Sequence, residues 1–211
     1  MFRFLVIEGP IGVGKTSLTK LLAKEFNARC ILEKSEDNPF LAQFYEDRKK
    51  FAFQTQIFFL LNRFRQQNEI AQLDLFNQIT LCDYLFAKDR IFAALNLDDH
   101  ELALYEQIYR LLDGQIPSPD LVIYLQANPE VLLHRIKARN LSFEKSIDPE
   151  YLRLLTEAYN YYFFHYDQTP LLVVDTSEID FVNRKEDFSQ LVREIKQMQK
   201  GTWYFIPKRS R

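Results

Sequence analysis

Gly9-Pro10-Ile11-Gly12-Val13-Gly14-Lys15-Thr16 follows the apolar run Phe4 to Ile7 and opens a segment of helical periodicity, Thr16 to Phe26. The eight positions match the phosphate-binding pattern GxxxxGK[ST], set between strand and helix, without a mismatch. Successive backbone N–H groups can wrap around phosphate oxygens only where crowded turns carry no Cβ, and the helix start adds its positive end. Three of the five glycines in the chain, Gly9, Gly12 and Gly14, fall in this loop, so backbone freedom is concentrated where the turns need it. Gly9, Gly12, Val13, Gly14, Lys15, Thr16 and Ser17 are therefore the candidate nucleotide-binding residues. Lys15 is placed to reach the β- and γ-phosphates of ATP, and the Thr16 hydroxyl to ligate Mg²⁺.

Outward from the loop, four further apolar runs read as strands: Ala28 to Leu32, Ile79 to Cys82, Leu121 to Leu125 and Leu171 to Val174. Strands apolar on both faces, alternating with helical stretches, predict an α/β class with a doubly wound, five-stranded parallel sheet and helices on both faces. Asn128-Pro129-Glu130 and Asp148-Pro149-Glu150 read as helix starts. Asn38 to Ala71 reads as a helix, a charged break near Asp47 to Lys50, and a second long helix rich in Phe and Leu. No repeat or linker divides the chain, so residues 1–200 are expected to form one domain. The tail 201–211, with Trp203, Tyr204 and Phe205, is either a surface latch or disordered chain.

A length of 211 residues supports a core without metal or disulfide staples. With 27 Lys plus Arg against 29 Asp plus Glu, there is no field of the kind that collects a nucleic acid polymer or an anionic membrane. No apolar run approaches the length of a membrane helix. Cys30 and Cys82 sit in apolar stretches and read as buried thiols of a cytoplasmic protein. His100, His134 and His165 show no ligand spacing.

In open α/β sheets ligands lie beyond the carboxyl ends of the strands. Glu8, Glu33 and Asp83 stand at the ends of the first, second and third runs. Phosphoryl transfer to a hydroxyl needs a carboxylate to accept the hydroxyl proton and another to help hold Mg²⁺. Glu33 suits the first role and Asp83 the second, with Glu36 and Asp37 near enough to compete for the first.

Several residues carry a family likeness: Glu33 with Asn38-Pro39-Phe40, Phe53-Gln54-Thr55, Asp83, Phe86, Asp89-Arg90, then Arg135 and Arg139 before Glu144. Over about residues 3 to 176 the chain resembles the deoxynucleoside kinases that act on deoxycytidine, deoxyguanosine and deoxyadenosine. The resemblance implies a P-loop nucleoside kinase fold, with ATP and Mg²⁺ and a small deoxynucleoside as partner. It implies that Glu33 activates the sugar 5′-hydroxyl, that Gln54 bonds the base edge, and that Asp89 accepts from an exocyclic amine, which favours deoxyadenosine or deoxyguanosine, then deoxycytidine, over thymidine. It further implies that Tyr45 and Glu144 bind the 3′-hydroxyl, that Phe53 and Phe86 flank the base or else fill the core, and that Arg135 and Arg139 belong to a lid at about 135–147. A homodimer packed through long helices such as Phe51 to Ile70 is the family expectation.

Three departures weaken the match. Tyr84 stands where an arginine usually follows the acid, with Lys88 as a candidate replacement. Asn140-Leu141-Ser142 replaces a further lid arginine. Leu61 falls where some relatives carry a base-contacting arginine, with Arg63 two residues on. A nucleoside monophosphate kinase of the thymidylate kinase type, or a nucleotide-binding regulatory protein without turnover, are the alternatives. The first would need more cations around a charged acceptor.

Overall fold

The computed structural model describes residues 2–73, 79–141, 144 and 146–206. Its centre is a parallel sheet of β1 (Phe4–Glu8), β2 (Arg29–Ile31), β3 (Thr80–Cys82), β4 (Leu121–Gln126), β5 (Leu171–Asp175) and β6 (Thr202–Phe205). The strands lie side by side in the order β2-β3-β1-β4-β5-β6. Five of them are the five apolar runs. The sixth corrects the expected count: Thr202–Phe205 pairs in parallel with the outer edge of β5, from Leu171↔Thr202 to Val174↔Phe205. Thr202, Trp203 and Tyr204 are exposed, so no buried face marks the segment as a strand. The unpaired N–H and C=O groups of the β5 edge supply its reason to extend.

Side-chain alternation divides the core into layers. Leu5 and Ile7 of β1 point to one face, where they meet Leu18 and Leu22 of α1 (Lys15–Glu25) and Leu132 and Ile136 of α6 (Pro129–Arg139). Val6 points to the other, toward Tyr124, and Tyr151, Tyr159 and Phe163 of α7 (Pro149–Phe164). Each fully buried leucine of this kind contributes about 1.5–3 kcal/mol relative to exposure. Asp148 caps α7 by accepting from the Glu150 N–H at 3.0 Å, with Pro149 as the first helical residue. α8 (Lys185–Gln197) completes the first layer through Leu191, Val192 and Ile195.

The long segment after β2 divides into α2 (Leu41–Glu46) and α3 (Arg48–Leu73), broken at Asp47 alone, whose φ of −140° leaves the helical region. α4 (Lys88–Asn96) and α5 (Asp99–Asp113) pack beside α3, and a third apolar cluster of Leu60, Phe86, Tyr105 and Tyr109 lies among them. Among the described residues no helix is long and apolar enough to cross a membrane. All strands being parallel, the glycine loop after β1, Glu33 after β2 and Asp83 after β3 emerge on one rim of the sheet.

Candidate active site

At that rim opens a cavity of about 870 Å³, lined by residues 11–17 of the glycine loop, by Glu33 and Asp83, and by side chains of α3, α4 and α6. The loop turns only because it is glycine-built. Gly12 has φ of +84°, and a Cβ there would lie 2.9 Å from the Leu132 carbonyl oxygen. A Cβ on Gly9 would stand 2.3 Å from the Leu125 carbonyl oxygen of β4. Glu8, fully buried, braces the loop's first turn: it accepts from the N–H of Gly9 at 2.8 Å and of Leu85 at 2.6 Å, and from the Tyr159 hydroxyl at 3.1 Å.

Lys15 folds over its own loop, donating to the carbonyls of Gly9 at 2.7 Å and Pro10 at 3.1 Å. Burial and then the neighbouring Lys88 lower its pKa to about 8, against the pull of Glu8, Glu33 and Asp83. The Thr16 hydroxyl donates to Asp83 Oδ2 at 2.6 Å, and the Glu33 N–H donates to Asp83 Oδ1 at 2.7 Å. One carboxylate thus ties the phosphate loop to the backbone of the candidate base. Burial raises the Asp83 pKa, with the Thr16 and Glu33 hydrogen bonds opposing it.

The Glu33 carboxylate accepts from Arg63 Nε at 2.6 Å and from Lys88 Nζ at 2.8 Å. Burial would raise its pKa, but the two cations prevail and hold it at about 2. Glu36 and Asp37, its competitors, lie in a 3₁₀ turn and do not line the cavity. Arg63 also pairs with Asp89 Oδ2 at 2.5 Å, and Gln56 Nε2 donates to Asp89 Oδ1 at 2.5 Å. Asp89 is completely buried behind these two side chains, and burial raises its pKa against the influence of Arg63.

Gln54 is not at the cavity; its amide donates to the Lys50 carbonyl of its own helix at 3.1 Å. Gln56 lines the wall instead. Two residues on an α-helix turn the side chain by about 200°, so only one of the two can face inward. The same two-residue step carries the inward arginine from Leu61, which is 40% exposed, to Arg63. Phe53 does not line the cavity either, and Phe86 stacks on Tyr109 with centroids 5.2 Å apart in the third core cluster. The aromatic residues that line the cavity are Phe44, Tyr45, Phe59, Phe92 and Phe181, of which Phe59 and Phe92 come from α3 and α4.

Tyr45 and Glu144 both line the cavity, where Arg139 Nε donates to Glu144 Oε2 at 3.1 Å and its NH2 group pairs with Oε1. Arg135 is committed to oxygens, donating to Thr176 Oγ1 at 3.0 Å, the Thr176 carbonyl at 2.7 Å and the Val13 carbonyl at 3.3 Å. It therefore clips the glycine loop to the segment after β5. Of the expected lid, residues 142, 143 and 145 lie outside the described residues. Of the lining residues, Gln56 and Phe59 were not expected from the sequence, and Arg63 stood out only by its spacing from Leu61. A signal for these three existed: Gln56, Phe59 and Arg63, with Gln67 beyond, recur at the three- and four-residue steps that keep side chains on one face of a helix.

A phosphate-binding loop at one end of this cavity and room for a small acceptor at the other mark the molecule as a P-loop phosphotransferase of the small-molecule kinase class. The family model for deoxynucleoside kinases matches residues 5–200, and the chain belongs to that family; it is a deoxynucleoside kinase. It is 38% identical over 200 residues to the deoxyguanosine kinase of Bacillus subtilis, covering 92% of this chain and 97% of that one. It is 36% identical over 193 residues to the deoxyadenosine kinase of Dictyostelium discoideum, covering 90% and 77%. A solved structure of deoxyadenosine kinase from M. mycoides with bound dATP is similar at a TM-score of 0.80 and 28% identity, covering 91% of this chain and 98% of that one.

Proposed function

We propose that the chain transfers the γ-phosphoryl group of ATP to the 5′-hydroxyl of a purine deoxynucleoside, with deoxyguanosine the preferred acceptor. The observation that carries this reading is the pair Arg63 and Gln56 on the cavity wall beside Glu33. A guanidinium carries five N–H donors, and those Arg63 does not give to Glu33 and Asp89 can meet the paired acceptors of guanine, O6 and N7, on one edge. Adenine places an amine donor in the O6 position, which sets donor against donor. The likeness to a deoxyguanosine kinase points the same way.

In this mechanism the Glu33 carboxylate accepts the 5′-hydroxyl proton while the oxygen attacks the γ-phosphorus, the bond from that phosphorus to the bridging oxygen breaks, and ADP leaves. Tyr45 and Glu144 hold the sugar 3′-hydroxyl, and Phe59 and Phe92 flank the base. Lys15 stabilises the donor phosphates. Arg139, from a lid at about 135–147, reaches them over the cavity, while Arg135 holds the loop in shape through Val13. The Thr16 hydroxyl and the Asp83 carboxylate are hard oxygen donors that converge, which suits Mg²⁺; they would hold it, and bound there it supplies charge neutralisation of the phosphates.

In this reading the chain is a homodimer packed through its long helices: Leu61 of α3 is 40% exposed, and Tyr161 and Phe164 of α7 are 72% and 79% exposed. The free thiols Cys30 and Cys82 suit the reducing cytoplasm. The test is the rate of ATP consumption with each of the four deoxynucleosides. Deoxyguanosine is expected to lead deoxyadenosine by about tenfold or more in kcat/KM, one hydrogen-bonding mismatch, with thymidine last. Any of the other three in the lead overturns the reading.

A further inference from the structure

We propose that Lys88 is a further catalytic residue, its ammonium group binding the phosphoryl group as it crosses from ATP to the acceptor. The proposal rests on the kinase reading above and adds a residue to it.

The position of this lysine is costly for a side chain with no function. Lys88 is the first residue of α4, at the end of the helix where the backbone dipoles repel a cation, and its side chain is only 4% exposed. Desolvation and the dipole both oppose a charge there. It nevertheless lines the cavity, with Nζ 2.8 Å from Glu33 Oε2. Through Glu33 it stands on the chain of contacts that runs by Asp83 to the Thr16 hydroxyl of the phosphate loop. It also stands near enough to Lys15 to be the foremost charge lowering that group's pKa. Lys15, Lys88 and Glu33 line one cavity, and Lys88 stands beside the acceptor base where the transferring anion must arrive.

Neighbouring cations do not fill this role. Tyr84 has no charge, is fully buried and does not line the cavity. Arg63 is held by Glu33 and Asp89 together. Arg90 pairs with Glu106 at 2.8 Å, away from the cavity. The acceptor proton goes to Glu33, and the charge that Lys88 balances is that on the non-bridging oxygens in transit. The competing role is structural, in which Lys88 serves only to neutralise Glu33.

The experiment uses the full chain with Lys88→Met, Lys88→Arg and Glu33→Gln, alone and combined. It measures kcat, the deoxynucleoside KM, and the affinities for ADP and for the β,γ-imido analogue of ATP. For Lys88→Met the expected result is a fall in kcat of about 10²–10³, with KM within about threefold. The imido analogue should lose about tenfold or more in affinity while ADP changes by less than about twofold, because only the former carries the group Lys88 binds. Lys88→Arg should recover at least about tenfold of the lost kcat. Equal loss, or no loss, for the two nucleotides overturns the proposal. So does a Glu33→Gln/Lys88→Met double variant no slower than Glu33→Gln alone, since Lys88 would then act only through Glu33. If Lys88→Met shows no cooperative melting, the same nucleotide comparison is read on Lys88→Gln. A wild-type protein that turns over no deoxynucleoside would instead sink the kinase reading, a failure the nucleotide comparison does not produce.

Discussion

Replacing Glu33 with glutamine keeps the side chain's shape, removes one charge, and separates chemistry from binding. The carboxylate lies between Arg63 Nε at 2.6 Å and Lys88 Nζ at 2.8 Å. Those cations overcome the effect of burial and bring its pKa to about 2, from an ordinary 4.5. The displacement corresponds to about 3 kcal/mol at 1.36 kcal/mol per pH unit, and the side chain's remaining 19% exposure trims that to about 2–3 kcal/mol. The folded pKa lies below the unfolded one, so this stability is complete above about pH 4.5 and is lost as pH falls toward 2. Urea denaturation at pH 7 should therefore find Glu33→Gln less stable by about 2–3 kcal/mol, a gap that narrows as pH falls below about 4.5. In steady-state assays kcat should fall by about 10²–10⁴, or roughly 3–5 kcal/mol of barrier, with ATP affinity within about threefold. Turnover at the wild-type rate would refute the proton-acceptor role. Equal stability at pH 7 would refute the electrostatic account.

Gln56→Ala should raise the deoxynucleoside KM by about tenfold, the worth of a buried hydrogen bond, while Gln54→Ala stays within about twofold; steady-state kinetics of the pair decide which glutamine faces the base. Glu8→Gln puts an amide where one carboxylate accepts from two N–H groups and a hydroxyl, so calorimetry should show about 3 kcal/mol lost, roughly 6–12 °C in Tm. Thr16→Ala should raise the Mg²⁺ concentration for half-maximal rate by about tenfold or more, with the deoxynucleoside KM little changed; an unchanged Mg²⁺ dependence would remove the hydroxyl from the metal site.

The architecture was legible where local sequence and tertiary demand coincide. The glycine loop needs positive φ and close approach at fixed offsets, and β1, β4 and β5 are buried on both faces, so the residues announce both. Glu33 and Asp83 could be placed because strand ends are fixed by the apolar runs that precede them. On α3 the reading slipped by two residues. The spacing from Glu33 to the cavity-facing glutamine depends on how the chain crosses the turn at Ser35–Asp37 and the break at Asp47, and neither length is visible in a pattern of residue types. β6 escaped for a different reason: its order comes from a neighbour's vacant edge rather than from its own alternation.

Arg63 bridges two carboxylates, Asp89 and Glu33, which in the proposed mechanism lie on the base side and the phosphoryl side of the reaction. A mutation at this position is consequently pleiotropic. Any drift toward another nucleobase that proceeds by replacing Arg63 also strips a counterion from Glu33, the group proposed to deprotonate the sugar, so a new preference would arrive together with slower turnover. Gln56 carries no such double duty, and natural or laboratory selection for altered nucleobase choice should find its first viable changes there.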